Sequence, residues 1–90
     1  MKYRRRTDIS RDILEAANGG ATKTKIMYKA YLSYQQLKEY LIMLTENGLI
    51  QQNSPETTFS TTGKGLQYLK AYEQMSEISS QFREQQIPAK

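Results

Sequence analysis

The chain has no cysteine, no histidine and no tryptophan, and only two prolines. Without cysteine there is no disulfide to staple a small core, no thiolate nucleophile and no thiolate metal ligand. Without histidine the usual general base near neutral pH is missing, and zinc loses another common partner. These absences point away from an enzyme, and no catalytic residue, cofactor or metal ligand is expected. There is also no run of some 18 apolar residues that could cross a membrane. The arginines near the start are not followed by the apolar stretch of a signal peptide. The expectation is a cytoplasmic protein with no membrane partner.

What remains is a 90-residue chain, 38% apolar, with net charge +4. That length suits one small domain, or a domain plus one extended element, and a core this modest makes oligomerisation plausible. The charge is uneven: residues 1–38 hold nine Lys or Arg against three acids, whereas residues 39–90 hold four against six. A basic half suits a polyanionic partner, although so short a chain can reach such asymmetry by chance.

The most informative stretch is Ser33 to Gly48, SYQQLKEYLIMLTENG. Ser33 and Gln36 have the S-x-x-Q spacing of a capping box, and Leu32 and Leu37 that of a hydrophobic staple. Leu37, Leu41 and Leu44 repeat at i, i+4, i+7, and Asn47-Gly48 supplies a left-handed stop. The opposite face carries Gln35, Gln36, Glu39, Met43 and Glu46. Such a face reads either as a solvated surface or as one that meets base edges. Tyr34 falls at an angle near Leu41 and is expected to pack inward.

Upstream, Met1–Arg6 (MKYRRR) is a basic arm of the kind that follows phosphates. Thr7 or Asp8 is placed to cap a first helix to about Asn18, with Ile9, Ile13, Leu14 and Ala17 inward and Gly19-Gly20 as its stop. Asp12 and Glu15, three residues apart, read as solvated surface rather than an acid/base pair. After a short Ala21-Thr22 link, Thr22 caps a second helix through about Tyr31. There Ile26, Met27 and Ala30 point inward, and Lys23, Lys25 and Lys29 outward. Two helices joined by so tight a turn match a helix-turn-helix.

Beyond Gly48 the period changes to that of a hairpin: Leu49–Asn53, a Ser54-Pro55-Glu56 turn, and Thr57–Thr61. Helix-turn-helix followed by a hairpin is the order of a winged helix. Thr62 caps a last helix from Gly63 to about Gln85, with Leu66 and Leu69 expected to close the core. Tyr68, Ala71, Met75, Ile78 and Phe82 then form a heptad-like seam, expected to pair with a second subunit, the alternative being a helix that folds back over the first.

Residues 19–50, GGATKTKIMYKAYLSYQQLKEYLIMLTENGLI, with Thr62-Gly63-Lys64-Gly65-Leu66-Gln67-Tyr68-Leu69 at the start of the last helix, resemble the archaeal winged helix-turn-helix family. This is the family of archaellum-regulator-like domains and of small dimeric DNA-binding proteins with coiled-coil tails. The resemblance spans residue 5 to about 73. It implies a homodimer that binds duplex DNA, in a sequence-specific or an architectural role. Three positions depart from the family pattern: Tyr31 where Asn is common, Thr61 where an apolar residue ends the wing, and Gly63 where an acid follows the cap. The last two suggest a weaker joint between wing and helix.

The expected architecture is mainly α (α+β). It comprises a basic arm (1–6), a winged helix-turn-helix domain (7–65), a C-terminal dimerisation helix forming a dimeric coiled coil (66–86) and a tail (87–90). The expected function is that of a nucleoid-associated transcriptional regulator binding double-stranded DNA through helix 33–47. An architectural DNA-binding protein or a protein-binding winged helix are the alternatives. Ser33 and the adjacent N–H groups are assigned to a phosphate, and Gln35, Gln36 and Glu39 to base edges, with Lys38 at their border. Arg4, Arg5, Arg6, Lys23 and Lys25 are assigned to phosphates.

Overall fold

The structure, a computed structural model, describes the backbone of residues 4–86 and the side chains of residues 4–79. Expectations for residues 1–3, for the Phe82 side chain and for the tail lie outside the described residues. Seven elements follow in order: α1 (Arg6–Ala17), β1 (Ala21–Thr22), α2 (Lys23–Ala30), α3 (Tyr34–Glu46), β2 (Ile50–Asn53), β3 (Thr58–Thr61) and α4 (Gly63–Gln86). This is the winged helix-turn-helix arrangement, α+β in class.

Helices α1, α2 and α3 each contribute the stripe their apolar periodicity dictates. Ile13, Leu14 and Ala17 of α1, Ile26 and Ala30 of α2, and Leu37, Leu41 and Leu44 of α3 are all buried. Leu32, in the turn between α2 and α3, joins this core, as do Ile50 and Phe59 from the hairpin. Complete burial of such side chains contributes roughly 1.5–3 kcal/mol each, so this cluster is the main source of the domain's stability.

The link at Ala21-Thr22 is a third strand. It pairs antiparallel with β3, Ala21 opposite Phe59 and Thr22 opposite Thr58, giving the sheet order β1-β3-β2. Two residues are too short to show alternation, and their partner lies far along the chain, so local sequence carries no sign of the pairing. Helix α1 also begins earlier than expected. Neither Thr7 nor Asp8 precedes it; Asp8 sits in the first turn, where its carboxylate accepts the Arg5 N–H at 2.9 Å. That carboxylate also meets the positive end of the helix dipole.

Helix α4 shows the largest departure. Leu66 does not close the core; it is 46% exposed. The stripe that faces the domain is Gly65, Tyr68, Leu69 and Tyr72: Leu69 packs against the core as expected, and Gly65 takes the place of Leu66. Gly65 is buried, and a Cβ there would collide with the Leu49 carbonyl and come within 2.5 Å of the Thr61 methyl carbon. Farther along, Tyr68 donates to the Thr7 carbonyl at 3.1 Å and Tyr72 donates to the Asp8 carboxylate. The close approach permitted by glycine and the reach of two tyrosines, together with Leu69, seat the helix on the domain.

The joint between wing and α4 is well tied rather than weak. The Thr61 hydroxyl donates to the Leu14 carbonyl at 2.6 Å, one of the last-turn carbonyls of α1 that lack a helical partner. Next to it, the Thr62 hydroxyl donates to the Gly48 carbonyl at 2.6 Å and accepts the Gly65 N–H at 3.1 Å. A threonine at position 61 therefore replaces apolar packing with a bond to an otherwise unpaired group.

Candidate nucleic-acid interface

The start of α3 is built as its sequence indicates. Ser33 Oγ accepts the Gln36 N–H at 3.2 Å, and Gln36 Oε1 accepts the Ser33 N–H at 3.0 Å. The box occupies two of the helix's orphan N–H groups. It also turns the Gln36 carbonyl oxygen toward the backbone, whereas Gln35 has no such structural task. With Leu37, Leu41 and Leu44 buried, α3 exposes Gln35, Gln36, Glu39, Ile42 and Glu46. Ile42, 54% exposed, was not among the residues singled out by sequence. Seven residues after Gln35, it lies only about 20° from it around the helix.

Cations flank this ridge on both sides. On one edge Tyr34 is 55% exposed rather than packed inward. The ammonium groups of Lys23 and Lys38 lie 5.9 and 6.0 Å from its ring centroid. These separations suit cation–π attraction, which holds two positive charges around an exposed ring instead of burying a phenol. On the other edge Arg6 lies 5.9 Å from the Tyr40 ring centroid, with a guanidinium nitrogen 3.7 Å from the Met43 sulfur. Met43 is thereby half-buried, not a free member of the exposed face. Arg5, Lys25 and Lys29 are exposed, and the backbone N–H of Lys25 donates to the capping hydroxyl of Thr22 at 3.2 Å.

Arg4 has a different setting from the rest of the arm. Its guanidinium donates to the Ala30 carbonyl at 2.6 Å, the Tyr31 carbonyl at 3.0 Å and the Asp12 carboxylate at 2.9 Å. Arg11 donates to the other oxygen of Asp12 at 2.7 Å and lies 4.8 Å from the Tyr72 ring centroid. Arg4 therefore clasps the C-terminal end of α2, where unpaired carbonyls favour a cation. The residue it clasps, Tyr31, has φ 56° and ψ 52°, a left-handed conformation that glycine or asparagine adopts far more readily. Tyr31 supplies the turn that a glycine usually makes in a helix-turn-helix, and its ring is 84% exposed.

The Asp8 carboxyl is held below the usual carboxylate range, first by the Tyr72 hydroxyl and then by the Arg5 N–H. The same contact with Asp8, aided by burial, raises the Tyr72 phenol above its ordinary value. Tyr68, assigned by sequence to an intersubunit seam, is half-buried on α1, and Tyr72 shares that role. Met75 and Ile78, farther along α4, are 62% and 59% exposed, and Ala71 is also exposed.

Among the described residues, no group of three or more His, Cys, Asp and Glu side chains is placed to hold a metal ion. No described helix is long and apolar enough to cross a membrane.

The fold is similar to that of Sso10a-2, a DNA-binding protein from Sulfolobus solfataricus, with a TM-score of 0.84 and 22% identity over 96% of this chain and 93% of that one. No curated protein sequence matches the chain. The family pattern matches residues 3–80, and the chain belongs to the winged helix-turn-helix family.

Proposed function

We propose that the protein binds duplex DNA by laying α3 in the major groove, and that it does so as a homodimer regulating transcription. The observation that carries this reading is the bracketing of one polar ridge by cations: Lys23 and Lys38 on one edge, Arg6 on the other. A helix entering the groove has a phosphate strand on either side, and the charges flanking α3 match that geometry. The similarity to Sso10a-2, itself a DNA-binding protein, supports the same reading.

Within this arrangement Gln35 and Glu39 meet base edges, glutamine pairing with adenine and glutamate accepting from cytosine. Gln36 contributes its amide nitrogen while its oxygen keeps the cap. Ser33 and the first turn of α3 approach a phosphate. Arg5, Arg6, Lys23 and Lys25 hold phosphates and carry affinity rather than sequence. The second subunit joins through the part of α4 from Ala71 onward, where Ala71, Met75 and Ile78 are exposed, placing a second α3 on the same duplex.

Selection on random duplex DNA, followed by Gln35→Ala on the selected site, tests the reading. Loss of a bidentate base contact costs about 1–3 kcal/mol on the selected site and little on random duplex. Equal losses on both would mean that this residue does not read bases.

A further inference from the structure

The ridge of α3 does not account for the exposed tyrosines. Tyr28, Tyr31 and Tyr34 fall within seven residues and are 71%, 84% and 55% exposed. None of them is needed by the core, which Ile26, Ala30 and Leu37 fill from the same segment. Tyr28 lies on the outer side of α2, about 160° from Ile26 around the helix. Tyr31 occupies a left-handed position where a tyrosine is strained and an asparagine is at ease. A strained residue whose side chain projects into solvent serves something other than the fold.

The segment itself carries charge of one sign. From Ala16 to Lys38 there is no acidic residue, while Lys23, Lys25, Lys29 and Lys38 all lie in that interval. Two of these lysines flank the Tyr34 ring. Cations to follow a phosphate backbone, interleaved with exposed rings on which bases can stack, are the two components of a surface for unpaired nucleic acid. Duplex DNA offers its phosphates to such a surface but keeps its base faces stacked, so it leaves the outward rings of Tyr28 and Tyr31 unused.

We propose that the turn between α2 and α3, with Tyr28, Tyr31 and Tyr34 among their lysines, is a binding surface for single-stranded nucleic acid that shares its lysines with the flank of the α3 ridge but uses the tyrosine rings in place of the base-reading residues. The lysines hold the backbone and the phenol rings stack on successive bases without selecting among them. The surface stands whether or not α3 reads duplex sequence.

The test uses labelled 12-mers of dT and rU, with fluorescence anisotropy at low salt and intrinsic tyrosine emission as a second readout. Tyr28→Ala places the best helix former at an exposed helical position, and Tyr31→Asn suits the left-handed turn, so both variants retain the fold. Each substitution weakens binding of the 12-mers by about five- to 140-fold, the loss of one stacked base. Neither changes duplex affinity more than about twofold, and the quenching of tyrosine emission by oligonucleotide diminishes in both variants. Gln35→Ala does the reverse, lowering affinity for the selected duplex and leaving the 12-mers unaffected. A preference for dT or rU identifies the natural strand, and either result supports the surface. Failure of the unaltered protein to bind 12-mers overturns the proposal, as does unchanged binding by both tyrosine variants. Equal loss on duplex and single strand also overturns it, by making the tyrosines part of the duplex interface.

Discussion

Arg4 distinguishes two physical roles that a basic arm can play, and its replacement by alanine separates them. The guanidinium, about one-third exposed, donates to two carbonyls at the end of α2 and to Asp12. Charge-assisted bonds at a partly exposed site together contribute about 2 kcal/mol after allowance for solvent. For a domain of this size, Arg4→Ala therefore lowers Tm by about 10 °C. Loss of the clasp also frees Tyr31 to leave its left-handed conformation, which tilts α3 relative to α2 and weakens binding to the selected duplex. Tyr31→Gly in the Arg4→Ala background lets the backbone hold the same turn without strain. It recovers about 1 kcal/mol of stability and most of the duplex affinity. The slope of log affinity against log salt remains unchanged throughout, because no phosphate contact has been removed. The assays are thermal unfolding by circular dichroism and duplex titrations at several salt concentrations. An unaltered Tm, with a slope smaller by about 0.9 and no recovery with glycine, would refute the reasoning and make Arg4 a phosphate ligand.

Three further outcomes are expected. The Tyr72–Asp8 contact stabilises the fold between two pH limits: the lowered Asp8 pKa makes its share present above about pH 4 and lost as pH falls through the folded-state value, and the raised Tyr72 pKa makes its share present below about pH 10 and lost as pH rises through the folded-state value. The stability difference between the natural chain and Tyr72→Phe, measured by denaturant unfolding, is therefore largest between these limits; a difference independent of pH would show that the contact contributes nothing. Gly65→Ala drives a methyl into the Leu49 carbonyl and destabilises by about 1–3 kcal/mol or more, whereas Gly63→Ala, with open space around it, stabilises by about 0.4–1 kcal/mol; equal effects in urea unfolding would contradict the close approach of α4. Met75→Glu with Ile78→Glu places charge on the exposed part of α4 and converts the dimer to monomer in sedimentation equilibrium without lowering domain stability, and an unchanged dimer mass would move the interface elsewhere.

Local chemistry was sufficient for α3. The capping box and the Leu37, Leu41, Leu44 stripe involve residues within about three turns of one another, and each forms where spacing places it, with Leu32 buried beside them. The same holds for the Thr22 and Thr62 caps and for the hairpin, whose strands are close in sequence. Exposure of Gln35 and Glu39 follows from the same periodicity, so the polar ridge was legible residue by residue.

Tertiary structure decided what depended on distant partners. Ala21-Thr22 is a strand only because β3, nearly forty residues later, presents unpaired backbone groups to it. The phase of α4 was set by Gly65, which admits the Leu49 carbonyl, and by Tyr68 and Tyr72 reaching Thr7 and Asp8 more than sixty residues earlier. Hydrophobicity ranks Leu66 above Gly65, so it selects the wrong face. Tyr34 faced outward because two lysines, one of them on another helix, attract its ring. Arg4 was indistinguishable in sequence from Arg5 and Arg6; the carbonyls and carboxylate around it make it a clasp. Sequence by itself determined which segments are helical and the apolar stripes of α1, α2 and α3, because those depend on nearest neighbours along the chain. Only the folded chain decided which charges are free and which rings are exposed, because both depend on what else arrives within a few ångströms.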